Sequence, residues 1–272
     1  MRVLTLNTYL ACTMWERRER RDTVLTELKR LCAAVRPHVV VLQECNGFWM
    51  GGLCGWLQRA FSLGPRWDAL LEILGIVEAR LFPTIARYRD NHADIVERAK
   101  TWGYPYAAAS TPAAHYVGRG LVMLSKYPLE NVREAAFPSD VLHIPGALAA
   151  TVHGYTIATC HMVPTLPDTT WTYKLCNTLN AWLCFDLRRI HAQGRDILGA
   201  FNADLCIGDF NRDPAAYAPP EPYRCVAAGP TDCENNCVLD YCWAHRDCVV
   251  GSSKTAEVRG TDHRAYYVDL AR

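Results

Sequence analysis

Short apolar runs that end on a polar residue recur along this chain. Val3 to Leu6 runs into Asn7, Val39 to Leu42 into Gln43 and Glu44, Tyr155 to Cys160 into His161, and Leu205 to Ile207 into Gly208-Asp209-Phe210-Asn211. Such runs, bounded by turn formers, read as strands. The wholly apolar Val39-Val40-Val41-Leu42 predicts a strand buried on both faces. Between the strands the period changes. Val24, Leu25, Leu28, Leu31, Cys32 and Val35 fall three and four apart and predict a helix that Pro37 stops. Leu175, Leu179, Leu183, Leu187 and Ile190 predict another over 173–191. Further strands are expected at Leu121 to Ser125 and Ala265 to Leu270, with a hairpin of Ala147 to Val152 and Tyr155 to Cys160 turning at His153-Gly154. From Asn46 to Trp102 the pattern is least regular, apolar and Gly-rich at first; Leu70, Leu71, Leu74, Val77 and Leu81 suggest one helix there, and Ile95, Val96 and Ala99 a second. With no internal repeat or low-complexity linker, the economical reading is one domain over 1–272 with an inserted segment at about 46–102.

Composition narrows the class only a little. Half of the 272 residues are hydrophobic and 21% are charged, the profile of an ordinary globular protein. A formal net charge of +1 supplies no global field toward nucleic acid or an anionic membrane, so either contact would need a local basic patch. Met1 leads straight into the first strand, without a signal peptide, and no apolar run is long enough to span a bilayer, so the expectation is an intracellular protein. The 13 cysteines are odd in number and dispersed, as expected of free thiols in a reducing compartment. Cys225, Cys233, Cys237, Cys242 and Cys248 cluster without a Cys-x-x-Cys pair, which favours loop cysteines over a zinc site.

The polar residues at the run ends carry the chemistry. Asn7, Glu44, His161, Asp209, Asn211, Asp240, Asp262 and His263 all sit at or beside expected strand ends. Each alone has an ordinary reading, as a turn residue or a hydrogen-bonded histidine. Eight together do not. A carboxylate directly after a buried strand, as at Glu44, is unfavourable unless paired or bound to metal. Side-chain alternation allows Asp209 and Asn211 to point the same way as their strand stops, which suits a divalent cation and a phosphate oxygen.

These pieces resemble the endonuclease/exonuclease/phosphatase superfamily, the deoxyribonuclease I-like fold. The matching motifs are Leu6-Asn7, Leu42-Gln43-Glu44, Ala158-Thr159-Cys160-His161, Gly208-Asp209-Phe210-Asn211, Leu239-Asp240 and Thr261-Asp262-His263, in the family's order across nearly the whole chain. Thr261 stands where the family usually has Ser, a departure that keeps the hydroxyl. The resemblance implies an α/β fold of two packed mixed sheets flanked by helices, a four-layer sandwich. It also implies metal-dependent hydrolysis of phosphate esters. Glu44 would be the main ligand of Mg²⁺, with Mn²⁺ as the alternative, assisted by Asn7 and Asp262. His263, oriented by Asp240, would activate the attacking water. Asp209 and Asn211 would position that water and a phosphate oxygen, and His161 would donate to the phosphoryl oxygens or help the leaving group.

For the substrate, three stretches look like the sphingomyelinase-type phosphodiesterases: Gly103-Tyr104-Pro105-Tyr106; Gly118-Arg119-Gly120-Leu121 with Leu124-Ser125-Lys126-Tyr127-Pro128; and Gly146-Ala147-Leu148-Ala149. Phe48, Trp49, Met50, Trp56 and Phe61, starting just after Glu44, suit peripheral contact with a lipid interface through 47–61. The alternative is a DNA or RNA nuclease, with Arg17 to Arg21, Arg119 and Arg212 supplying a basic groove. A non-catalytic binding module is disfavoured because every chemical position holds a competent residue. No obligate protein partner is implied.

Overall fold

The structure, a computed structural model, describes residues 1–8, 18–45, 47–50, 86–89, 91–111, 120–138, 146–163, 178, 186–233 and 236–271. The first sheet contains β1 (Arg2–Asn7), β2 (Val39–Gln43), β5 (Tyr106–Ala109), β6 (Val122–Ser125), β13 (Val249–Ala256) and β14 (Ala265–Ala271), in the order β13-β14-β1-β2-β6-β5. The second contains β7 (Glu130–Ala136), β8 (Gly146–Val152), β9 (Tyr155–His161), β10 (Leu205–Asp209), β11 (Tyr223–Val226) and β12 (Asp240–His245), in the order β11-β12-β10-β9-β8-β7. Both sheets are mixed. β1 runs parallel to β2, and β9 parallel to β10, while the other pairings are antiparallel. A two-stranded ribbon joins β3 (Gly47–Met50) to β4 (Ala86–Arg89).

A period of two sorts the strand residues into layers. In β1 and β2, Val3, Val39 and Val41 face a core shared with the second sheet, whereas Leu4, Leu6, Val40 and Leu42 face helices. The second sheet does the same: Ile157, Leu205, Ile207, Cys242 and Ala244 point between the sheets, while Ala158, Cys160, Cys206, Tyr241 and Trp243 point outward. α1 (Arg18–Val35) covers the first sheet with Leu25, Leu28, Leu31 and Cys32, joined by Ile95 and Ala99 of α2 (His92–Thr101). α3 (Leu187–Ala200) covers the second sheet through Leu198, with Phe201 just beyond its end. The outcome is the expected four-layer α/β sandwich, with a helix layer outside each sheet.

Differences from the sequence reading have local causes. The expected helix over 173–191 breaks at Asp186, which is extended and caps a helix running 187–200, while Thr178 is helical: the Asp186 carboxylate accepts the backbone N–H of Arg188 at 3.0 Å and of Arg189 at 3.3 Å. Thr178 apart, 164–185 lie outside the described residues, as do the expected helix around Leu70 to Leu81 and most of 47–61. No apolar run in the sequence predicts β7, β11 or β13. All three are sheet edges with a half-solvated, polar sequence. The hairpin turns where expected, with His153 (φ 52°) and Gly154 (φ 81°) in the left-handed conformation. The nine described cysteines are free thiols, and among the described residues no helix is long and apolar enough to cross a membrane.

Candidate active site

The layer between the sheets changes character along its length. Following Val3, Val39 and Val41, the same faces of β1 and β2 present Thr5 and Asn7, and Gln43. Following Ile157 and Ile207, the second sheet presents Thr159 and His161, and Asp209. Apolar packing therefore gives way to polar groups at the C-terminal ends of the four parallel strands. Gln43 Nε2 crosses the layer to donate to Thr159 Oγ1 at 2.8 Å and to Thr5 Oγ1 at 3.0 Å, tying the sheets together beneath the site.

Strand register then fixes the chemical residues. Asp209 pairs with His161 of β9 on one side and with Asp240 of β12 on the other. Asn7 donates its side-chain amide to Asp209 Oδ2 (2.8 Å) and to Glu44 Oε1 (3.0 Å), linking the sheets a second time. His161 Nε2 lies 3.4 Å from Glu44 Oε1 and 3.9 Å from Asp209 Oδ2. On the other side of Asp209, His263 Nδ1 is 2.7 Å from Asp240 Oδ2, and its Nε2 is 3.9 Å from Asp209 Oδ2. Asp262 is more peripheral, with Oδ1 4.0 Å from His263 Nε2. Thr261 Oγ1 donates to the Asn7 carbonyl at 2.9 Å and accepts the His263 N–H at 3.1 Å, so the hydroxyl at this position joins both sides of the site.

Asn211 differs from the expectation of a shared strand face. β10 ends at Asp209, and Asn211 is left-handed (φ 51°). Its N–H donates to Asp209 Oδ1 at 2.8 Å and its side-chain amide to the Met162 carbonyl at 2.9 Å, so it enters as a turn residue that orients Asp209. Glu44 is also left-handed (φ 52°), an uncommon state for a residue with a Cβ. Gly120 backs it: a Cβ there would stand 3.1 Å from Glu44 Cα and 3.0 Å from the Cys45 nitrogen. Gly208 is tighter still, since an added Cβ would lie 2.3 Å from the Cys160 carbonyl oxygen of β9. Gly208→Ala should push apart the strands that carry His161 and Asp209, lowering stability by about 1–3 kcal/mol, which urea unfolding would measure; an unchanged midpoint would mean that β9 yields easily.

Electrostatics make the cluster hungry for positive charge. Burial first, and then the Asp240 carboxylate, push Asp209 up to about 8, against the opposing pull of His263 and its hydrogen bonds. For His263 burial disfavours the imidazolium, but Asp240, Asp209 and Asp262 outweigh it and hold the ring well above the usual histidine value. Asp240 Oδ1 is buried and accepts no hydrogen bond from the described residues, while Oδ2 meets the imidazole. The donor set suits a hard divalent cation. Ligand atoms of Glu44, His161 and Asp209 lie within 4.8 Å of one another, as do those of Asp209, Asp240 and His263, and a cation would take the place of the protons that the carboxylates otherwise attract.

The polar residues singled out from the sequence thus lie close together, while their supports carried less signal. Gln43 was visible as a polar end to an apolar strand; Thr231, which accepts the Asp240 N–H at 2.8 Å, carried no signal at all.

The comparisons agree with this architecture. No curated protein matches the sequence. Among solved structures, humanized D. rerio TDP2 superposes with a TM-score of 0.57 at 13% identity, covering 100% of this chain and 99% of that one. An endonuclease/exonuclease/phosphatase from Beutenbergia cavernae gives 0.54 at 16% identity, covering 99% of this chain and 71% of that one. A family protein from Leptotrichia buccalis gives 0.51 at 13% identity over 100% of both chains. At these identities the likeness concerns the fold. The family itself is shown by the sequence model, which matches residues 4–263, and so the chain belongs to the Endonuclease/Exonuclease/phosphatase family.

Proposed function

We propose that this protein is a divalent-metal-dependent phosphodiesterase, using Mg²⁺ or Mn²⁺, in which His263 takes a proton from the water that attacks phosphorus in line. The carrying observation is the convergence, around Asp209, of one group of metal-competent ligand atoms and one Asp–His pair. Glu44 and Asp209 would hold the cation, with Asn7 fixing both carboxylates and Asp262 at the rim. Bound there, the cation would neutralise charge on the phosphoryl oxygens. His263 Nε2, with Nδ1 tied to Asp240, is the ring nitrogen free to face the nucleophile, and Asp240 stabilises the imidazolium once the proton has moved. His161 would donate to a phosphoryl oxygen, and Asn211 would keep Asp209 in register with the water.

For the substrate, nucleic acid now stands ahead of phospholipid. Several of the sphingomyelinase-like motif residues have structural work here. Tyr104 is buried and its hydroxyl donates to the Pro37 carbonyl at 2.9 Å, Gly120 backs Glu44, and Gly146 to Ala149 form a buried strand. Such residues report packing and not a headgroup. A fold neighbour, D. rerio TDP2, was solved with a single strand DNA product, at a TM-score of 0.54 and 13% identity. The phospholipid reading keeps Trp49 and Trp56 as its support, whose side chains lie outside the described residues.

One panel tests both. Single-stranded DNA, RNA, sphingomyelin vesicles and bis(p-nitrophenyl) phosphate would be incubated with Mg²⁺, with Mn²⁺ and with EDTA. Cleavage of at least one phosphodiester, lost in EDTA and restored by metal, is expected. Undiminished activity in EDTA would refute the metal assignment, and cleavage of sphingomyelin alone would put the lipid reading first.

A further inference from the structure

The Asp240–His263 pair is held by a segment that the chemistry above does not use. Thr231 is fully buried. Its Oγ1 accepts two backbone N–H groups, from Leu239 at 3.0 Å and from Asp240 at 2.8 Å. Its carbonyl accepts the Arg264 N–H at 2.7 Å. The next residue, Asp232, forms an isolated antiparallel bridge with His263, and the Cys233 N–H donates to the Asp262 carbonyl at 2.8 Å. The segment is itself anchored, since the N–H groups of Thr231 and Asp232 both donate to the Cys237 carbonyl, at 2.8 and 3.0 Å. Three consecutive residues therefore join the backbone that carries Asp240 to the backbone that carries His263.

The hydroxyl sits on the open side of Asp240, opposite its pairing with Asp209 of β10. β11 pairs with β12 only from Cys242 onward, so the strand end bearing Asp240 lacks that neighbour. One hydroxyl oxygen, with two lone pairs, takes both amides there. We propose that Thr231 is a positioning residue for the Asp240–His263 pair, its hydroxyl oxygen setting where the Asp240 carboxylate meets the imidazole. The functional part of this inference rests on His263 being the base; the geometric part does not.

The test separates the two. Thr231→Val keeps the shape and removes the acceptor, and Thr231→Ser restores it. In the metal-free protein, the far-downfield proton resonance of His263 Nδ1–H, assigned by its absence from His263→Ala, should shift or be lost to solvent exchange in the valine variant and return in the serine variant. With Mn²⁺ and bis(p-nitrophenyl) phosphate, kcat should fall about 10- to 100-fold in the valine variant with KM within about twofold, the pattern of a misplaced rather than a missing group. If the valine variant does not fold, Thr231→Ala, which leaves room for water at the two amides, is judged by the same criteria. An unchanged resonance and kcat in either folded variant overturns the proposal. So does fast hydrogen exchange at the Asp240 amide of the wild-type protein. Full activity in His263→Ala alongside a resonance that still responds to Thr231 would remove the base assignment and leave the clamp standing.

Discussion

His263→Ala should lower kcat by at least ~100-fold, the lower end of what a positioned base contributes, and Asp240→Asn should come close to it. The two side chains are joined at 2.7 Å, which is why they are expected to act as one device. The asparagine variant is nearly isosteric, yet it removes the charge that stabilises the imidazolium and can present an N–H where an acceptor is needed. The double variant should therefore lose far less than the sum of the single losses. Simple additivity would show that the pair is not a unit. The pH profile gives an independent check. Because its neighbouring carboxylates raise the pKa of His263 despite its burial, the base is protonated below that raised value and activity should fall as pH drops through it. The acid limb should lie above 6.5, the ordinary histidine value, unless bound cation offsets part of the shift. Asp240→Asn removes a main cause of that rise, so residual activity should extend to lower pH. A limb that stays in place would implicate another group.

Glu44→Gln should be nearly as damaging, by at least ~100-fold, the scale seen when one preorganised electrostatic group is removed. The substitution keeps the side-chain length and leaves an oxygen that can still face Asn7, so the fold should hold. What goes is a negative charge at a site where Glu44 and Asp209 share the Asn7 amide and Glu44, Asp209 and Asp240 lie beside His161 and His263. Calorimetric titration with Mn²⁺ should show weakened binding, and high metal concentration should recover part of the activity. Equal metal affinity in the two proteins would place the cation elsewhere.

Much of this site was legible because the polar residues interrupt runs that are otherwise apolar. Asn7, His161 and Asp209 end strands that are largely buried, and Glu44 comes just after one; a strand buried on both faces has few ways to place the residue at its end. Asp240 and Asp262-His263 were found by motif and not by periodicity. What could not be read were contacts between segments distant in sequence. Gln43 and Thr159 are far apart in the chain and meet only when the sheets pack, and Thr231 serves Asp240 through a hydroxyl that looks like any other loop threonine. The left-handed backbones of Glu44 and Asn211 were equally silent, since neither residue type marks that state as glycine does. The edge strands β7, β11 and β13 escaped because half of each faces water.

The pairing of β1 with β14 bears on how the protein is made. Leu4 lies opposite Tyr267, and Arg2 reaches Asp269 with hydrogen bonds of 2.7 and 2.9 Å, so the third strand of the first sheet, counted from its β13 edge, is flanked by residues more than 250 positions away. Until residues 265–271 leave the ribosome, β1 has β2 on one side and an open row of backbone donors and acceptors on the other. Contacts of such sequence separation slow folding and expose strand edges to neighbouring chains. His263 arrives two residues before that closing strand, so a nascent chain acquires the proposed base only as this open edge is about to be sealed.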